Sequence, residues 1–146
     1  MLLGNVAPVI GRTASRLKGA STRYASPEGL AEFFEALRPT DRPLATHKRF
    51  STKCKTDVYS FGVMMWELME RKVPYGDIHE NLVADLVMSG KYGPLKFGTR
   101  VDEEYLFLWR EVAISCWARD PERRPSFTEL LKTLDEILRS KILTRA

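Results

Sequence analysis

Two cysteines and two histidines are all that this chain has of either residue. Cys54 and Cys116 stand far apart, in no CxxC pair and no Cys/His cluster of metal-ligand spacing, which argues against a zinc site or a disulfide scaffold. His47 and His79 lack the Ser, Cys or carboxylate neighbour of a catalytic triad. No stretch reaches the ~18–20 apolar residues of a membrane span. Residues 1–10 are apolar in places but lack the basic start and the length of a secretory leader. Nor is there a strong charge of one sign, since 23 Lys and Arg against 19 Asp and Glu leave only +4. That excess gathers in Arg12, Arg16, Lys18 and Arg23 and again in Lys48, Arg49, Lys53 and Lys55. Such patches attract phosphate-bearing partners, but without interleaved aromatics they read as solvated loops rather than a nucleic-acid surface. The expectation is a cytoplasmic protein with reduced thiols that binds neither nucleic acid nor membrane.

What is present suits one folded domain. The 146 residues are 44% hydrophobic and 29% charged, near the composition of globular proteins and long enough for a single core. Residues 1–26, rich in Gly, Ala, Ser, Thr and Arg, carry no period of 2 or 3.6 and read as a loop. Pro27 suits a first helical turn, Leu30, Phe33, Phe34 and Leu37 follow at helical spacing, and Pro39 stops the run. Residues 38–55, with two prolines and many basic residues, read as a surface connection. From Val58 to Met69 apolar side chains point in nearly every direction, which requires a helix surrounded by protein, with Thr56 or Asp57 as its cap. Asp77 followed by Glu80 has the pattern of a capping box ahead of Leu82, Val83, Leu86 and Val87, and Gly90 can close that helix in a left-handed cap. Asp102, Glu103 and Glu104 favour a helix start before Tyr105, Trp109, Val112 and Cys116, and Asp120-Pro121 breaks it. Ser126 and Glu129 make a further capping box before Leu130, Leu131, Leu134, Ile137 and Leu138. Five helices and no convincing strand are predicted.

Four motifs in order are more specific. They are Tyr-Ala-Ser-Pro-Glu from Tyr24 to Glu28, Thr-Asp-Val-Tyr-Ser-Phe-Gly-Val-Met-Met-Trp-Glu-Leu from Thr56 to Leu68, Val-Pro-Tyr-Gly from Val73 to Gly76, and Cys-Trp-Ala-Arg-Asp-Pro-Glu-Arg-Arg-Pro-Ser-Phe from Cys116 to Phe127. Together they resemble the second half of a eukaryotic protein kinase domain, of the tyrosine-kinase-like or serine/threonine kinase type, over roughly residues 20–140. The resemblance implies a mainly α fold, the helical C-lobe of the protein-kinase-like fold, incomplete because neither an N-lobe nor a catalytic loop is written here. It divides the chain into a loop over 1–26 resembling part of an activation segment, a helical subdomain over 27–140, and a tail over 141–146. Glu28 and Asp57 stand 29 positions apart, about twice the family's interval, so an insertion is expected near 33–48.

The resemblance also assigns residues. Glu28 would pair with Arg124 and tie the activation segment to the helical lobe. Asp57 would begin the central helix where the family's Asp receives backbone N–H groups from the catalytic loop, although on its own it reads equally as an ordinary cap. Ser21 and Tyr24 fall where the family lines its substrate channel. Thr13, Ser15, Ser21 and Thr22, set among basic residues, are candidate phosphorylation sites, or simply loop residues.

Phosphoryl transfer needs a Gly-rich loop, a strand Lys, a catalytic Asp, an Asn and a metal-binding Asp. The chain has no GxGxxG, no Val-Ala-Ile-Lys and no His-Arg-Asp, and Val9-Ile10-Gly11 is at most a degenerate Asp-Phe-Gly without its carboxylate. No catalytic, cofactor-binding or metal residue is therefore assigned. ATP and Mg are implied for a full-length parent, with a protein substrate or partner. A stand-alone pseudokinase-like interaction module is the alternative. In the family the central helix is covered on one side by elements that this sequence lacks, so that side is expected to be bare and prone to self-association.

Overall fold

A computed structural model describes residues 22–36, 49–90, 95–98 and 104–144. Their elements are five α-helices: α1 (Pro27–Ala36), α2 (Arg49–Glu70), α3 (Glu80–Ser89), α4 (Glu104–Cys116) and α5 (Phe127–Thr144). One 3-10 turn, Pro121–Arg123, precedes α5, and no strand occurs among the described residues. The mainly helical fold class is the one expected. α5 runs to Thr144, so its last turn falls within the stretch read as a tail.

α2 organises the rest. It packs chiefly on α4, which packs on α5, while α1 pairs with α3. The larger core joins α2, α4 and α5 through Val58, Val63, Met65, Trp66, Val112, Ala113, Cys116, Leu130 and Ile137. Val63 and Met65 are fully buried, and burial of such a side chain is worth about 1.5–3 kcal/mol. A smaller core under α1 and α3 gathers Leu30, Tyr75, Val83, Ala84 and Val87. Of the three indoles in or against the larger core, Trp66 Nε1 donates to the Lys96 carbonyl at 3.1 Å and Trp109 Nε1 to the Met65 carbonyl at 3.4 Å, whereas the buried Trp117 Nε1 has no hydrogen-bond partner. The close approach of α2 to the end of α4 depends on Gly62, where a Cβ would come within 2.5 Å of Cys116 Cβ and 2.7 Å of Trp117 Nε1.

The expectation of burial all round α2 is met on most of its circumference and fails on one side. Met64 and Leu68 are 42% and 62% exposed. Phe61, beside them, is half-buried and meets Phe127 of α5 edge-on, with ring centroids 5.9 Å apart. The kinase resemblance had implied an uncovered side of this helix, where the apolar pattern alone implied none.

Two helix starts differ from expectation. α2 begins at Arg49, so Asp57 lies two turns inside it, exposed, and does not cap it. Residues 49–57 contain neither Pro nor Gly, nothing interrupts the i→i−4 ladder, and the N–H groups that Asp57 would have capped already have carbonyl partners. α3 begins at Glu80, so the Asp77–Glu80 capping box does not form. Residues 73–78 instead fold into consecutive turns, Gly76 N–H to the Val73 carbonyl and Ile78 N–H to the Tyr75 carbonyl, with Tyr75 at φ 54°. Residues 49–55, read as part of a surface connection, belong to α2 instead, while two other local expectations hold. Gly90 closes α3 at φ 67°. The Ser126 hydroxyl accepts the Glu129 N–H at 3.2 Å while the Glu129 carboxylate accepts the Ser126 N–H at 2.7 Å.

Candidate functional site

The site grows around Arg124. Asp120 caps the turn Pro121–Arg123 through the Glu122 N–H, and the chain leaves that turn extended at Arg124. Extended backbone at that point directs the side chain inward, where it is 2% exposed. A buried guanidinium must have its five N–H donors answered. Arg124 Nη1 and Nη2 donate to the two carboxylate oxygens of Glu28 at 2.5 and 3.0 Å. Nε donates to the Ala118 carbonyl at 2.8 Å, and Nη1 also to the Lys55 carbonyl at 2.9 Å. The Tyr59 ring lies under the guanidinium carbon at 5.1 Å. Lys55 returns the contact, its Nζ donating to the Arg124 carbonyl at 2.5 Å. The pair expected from sequence is therefore present, bidentate, and seated on α2.

Glu28 sits in the first turn of α1, and its side chain keeps 21% of its surface in water. Burial alone would push its carboxyl up, but the Arg124 hydrogen bonds, its own backbone N–H and the Ser26 hydroxyl outweigh that, and its pKa is lowered. Ser26 is the residue that starts α1, accepting the Gly29 N–H at 3.1 Å. Thr56 adds a contact of 3.4 Å to Glu28.

The segment ahead of α1 is fastened to the same scaffold. The Tyr24 hydroxyl donates to Glu67 at 2.7 Å, and this hydrogen bond, with burial, raises its pKa. Ser60 Oγ donates to the Tyr24 carbonyl at 2.9 Å. Arg23 reaches across to the turns that precede α3 and donates to the carbonyls of Pro74, Tyr75 and Ile78 at 2.9, 2.6 and 3.0 Å. Those carbonyls point at a guanidinium instead of along a helix axis, which is why α3 starts only after them. Beneath, Tyr59 and Tyr75 share a hydroxyl hydrogen bond, and burial raises the pKa of both.

Of the residues singled out in the sequence, Tyr24, Glu28 and Arg124 come together on one side of α2, whereas Asp57 stands exposed and apart. Thr22 is 1% exposed with its hydroxyl unpartnered. Thr13, Ser15 and Ser21 lie outside the described residues, as do Val9-Ile10-Gly11 and most of the 33–48 insertion. Arg23, Ser26, Lys55 and Glu67 belong to the arrangement but escaped the sequence reading. In the sequence Arg23 and Lys55 stood out only as members of the two basic patches.

The arrangement offers positioning and no reacting group. Among the described residues no three His, Cys, Asp or Glu side chains converge in a way that could hold a metal ion. Burial pushes the Cys116 thiol up to about 11, so it is a protonated core residue at neutral pH rather than a nucleophile. Among the described residues there is thus no fitting set of ligands for Mg-ATP. No described helix is long and apolar enough to cross a membrane.

Comparison with known proteins agrees with this geometry. A family model described as protein tyrosine and serine/threonine kinase matches residues 42–134. Over 96 residues, 65% of the chain, the sequence is 35% identical to a Dictyostelium discoideum protein named "Probable serine/threonine-protein kinase". It is 36% identical over 89 residues, 61% of the chain, to a "Probable LIM domain-containing serine/threonine-protein kinase" of the same organism. A dual specificity protein kinase, also from Dictyostelium discoideum, is 33% identical over 85 residues, 58% of the chain. The matched regions span 6%, 13% and 11% of the lengths of these three relatives.

Proposed function

The chain belongs to the protein tyrosine and serine/threonine kinase family, and from that membership we propose that it serves as the helical-lobe part of a phosphotransferase that passes the ATP γ-phosphate to a protein hydroxyl. Serine and threonine are the favoured acceptors, in line with the names of its relatives. The family implies ATP and Mg for a full-length parent. The 146 residues by themselves transfer nothing, because the Gly-rich loop, the strand Lys, the catalytic Asp and the metal-binding Asp are all missing from them. The observation that carries the reading is the bidentate Glu28–Arg124 pair, which locks residues 22–28 against α2 as an activation segment is locked to its lobe. Ser21 and Tyr24 would then border the substrate channel, and phosphorylation of Thr13, Ser15 or Ser21 would reset the segment, whereas Thr22, at 1% exposure, is too buried for that role. The setting is cytoplasmic.

The test uses purified chain with γ-labelled ATP, Mg and a generic protein substrate. No label above background and no measurable ATP affinity are expected, and clean transfer that disappears without Mg would overturn the inactive assignment. Transcript sequence upstream of Met1 tests the other half. An in-frame Gly-rich loop, Lys and His-Arg-Asp there would place the chain in an active parent.

A second reading, a pseudokinase-like interaction module, is favoured by the exposed Met64, Leu68 and Leu131. Apolar side chains grouped in water bind a partner, another copy included, or aggregate. Concentration-dependent mass in sedimentation, together with upstream sequence lacking the catalytic motifs, would select this reading.

A further inference from the structure

An open groove of about 490 Å³ runs between α4 and α5. Its floor is hydrocarbon, from Leu108 and Val112 on one wall and Leu130 and Ile137 on the other. The two ionisable side chains that line it, Glu111 of α4 and Glu136 of α5, are both acidic and both exposed. None of these features takes part in the arrangement around Arg124.

The chemistry of the lining selects an occupant. The groove hydroxyls are already engaged by their own helices, Ser115 with the Val112 carbonyl at 2.7 Å and Thr133 with the Glu129 carbonyl at 3.1 Å, so they offer little to a polar ligand. The arginines of the two helices are occupied elsewhere, Arg139 with Asp135 at 2.8 Å and Arg110 over the Phe97 ring. Among the described residues Glu111 and Glu136 have no cationic partner. A carboxylate on each wall repels nucleic acid and anionic lipid and attracts cations, while the floor takes aliphatic side chains. Two adjacent helices also present ridges between which a third helix can seat.

We propose that the α4–α5 groove is a docking site for a basic amphipathic helix of a partner protein. Its leucine-like face lies along the groove over the half-buried Leu108 and the edges that the core residues Val112, Leu130 and Ile137 leave open, and Lys or Arg side chains on its flanks pair with Glu111 and Glu136. This is helix-in-groove recognition with charge setting the choice of partner.

The experiment titrates full-length chain into a fluorescein-labelled 14-residue synthetic peptide of Leu and Lys, patterned as an amphipathic helix, and reads polarisation. Binding with Kd on the order of 10 µM at low salt is expected, weakening several-fold when added salt shortens the screening length. Glu111→Lys/Glu136→Lys should weaken it at least tenfold, and a peptide with Glu in place of Lys should not bind. Both positions are exposed, so the double variant should unfold at the wild-type temperature. The Leu68→Ser/Leu131→Ser variant should bind like wild type. Equal affinity for wild type and the charge-reversed chain, or loss only in the Leu68/Leu131 variant, would place the peptide on the bare side of α2 and overturn the proposal. So would tighter binding by Arg12→Glu/Arg16→Glu, which would assign the groove to this chain's own basic segment. A wild-type dimer in sedimentation that the charge reversal splits would assign it to a second copy and overturn it likewise.

Discussion

The two sides of α2 are held in opposite ways. On one side Lys55, Thr56, Tyr59, Ser60 and Glu67 meet residues 22–28 and Arg124 through directional polar contacts, nearly every one with a named donor and acceptor. On the other, Met64 and Leu68, with Leu131 of α5, leave 42%, 62% and 70% of their surface in water. Directional bonds impose a geometry and penalise its loss, because each stranded buried donor or charge costs free energy that water no longer offsets. Exposed hydrocarbon imposes no geometry at all. It holds a reserve of about 1.5–3 kcal/mol per large side chain that is released only if something covers it. One side of the central helix thus specifies a shape, and the other leaves hydrocarbon uncovered.

The largest effect is expected where the polar side is cut. Arg124→Ala leaves the Glu28 carboxylate, the Ala118 carbonyl and the Lys55 carbonyl without their donor. Removing one member of a buried pair costs about 3–5 kcal/mol against a total stability of 5–15 kcal/mol. The low end applies, since Glu28 keeps a fifth of its surface wet. Soluble yield should collapse, and any folded remainder should unfold at a lower urea midpoint. Arg124→Lys retains the charge but not the fork, so an intermediate loss is expected. A wild-type urea midpoint for Arg124→Ala would break the comparison.

A gentler cut of the same side is made with acid. The Glu28 pKa is lowered in the folded chain, so its contribution is complete above the unfolded value of 4.5 and is lost as pH falls through the lower folded value. Glu129 of the capping box shifts in the same direction. The thermal midpoint should hold steady from neutral pH to about 5 and fall below 4.5. Glu28→Gln should start lower and decline less steeply. Equal acid slopes in the two chains would mean that the ion pair is not the acid-sensitive element.

The smallest effect on stability, and the largest on association, belongs to the bare side. Leu68→Ser/Leu131→Ser should change unfolding free energy by no more than about 0.5 kcal/mol, as surface substitutions do. It should at the same time reduce concentration-dependent light scattering. A loss above about 2 kcal/mol would show that these side chains are covered in solution and that the two sides do not differ as described.

Local signals were read correctly where the cause is local. Pro27 opens α1, Gly90 closes α3, and Ser126 with Glu129 starts α5, because such signals involve residues within one turn of each other. The same local reading failed at Asp57 and Asp77, two good capping residues that do not cap. At Asp57 the helix had already begun at Arg49. At Asp77 the guanidinium of Arg23, more than fifty positions earlier, holds the carbonyls of Tyr75 and Ile78 on either side of it in turns.

From the order of its motifs alone the sequence determined the kinase family, the mainly helical class, the Glu28–Arg124 partnership across 96 positions, and the absence of the residues that transfer phosphate. Such features depend on residue identity, which a sequence states outright. Tertiary structure alone decided that Arg23 clamps the turns before α3, that Lys55 and Tyr59 complete the seat of Arg124, that Met64 and Leu68 face water, and that Glu111 and Glu136 share an apolar groove. Each of those facts depends on which helix faces run beside each other, and helix packing sets that through contacts between residues far apart in the chain.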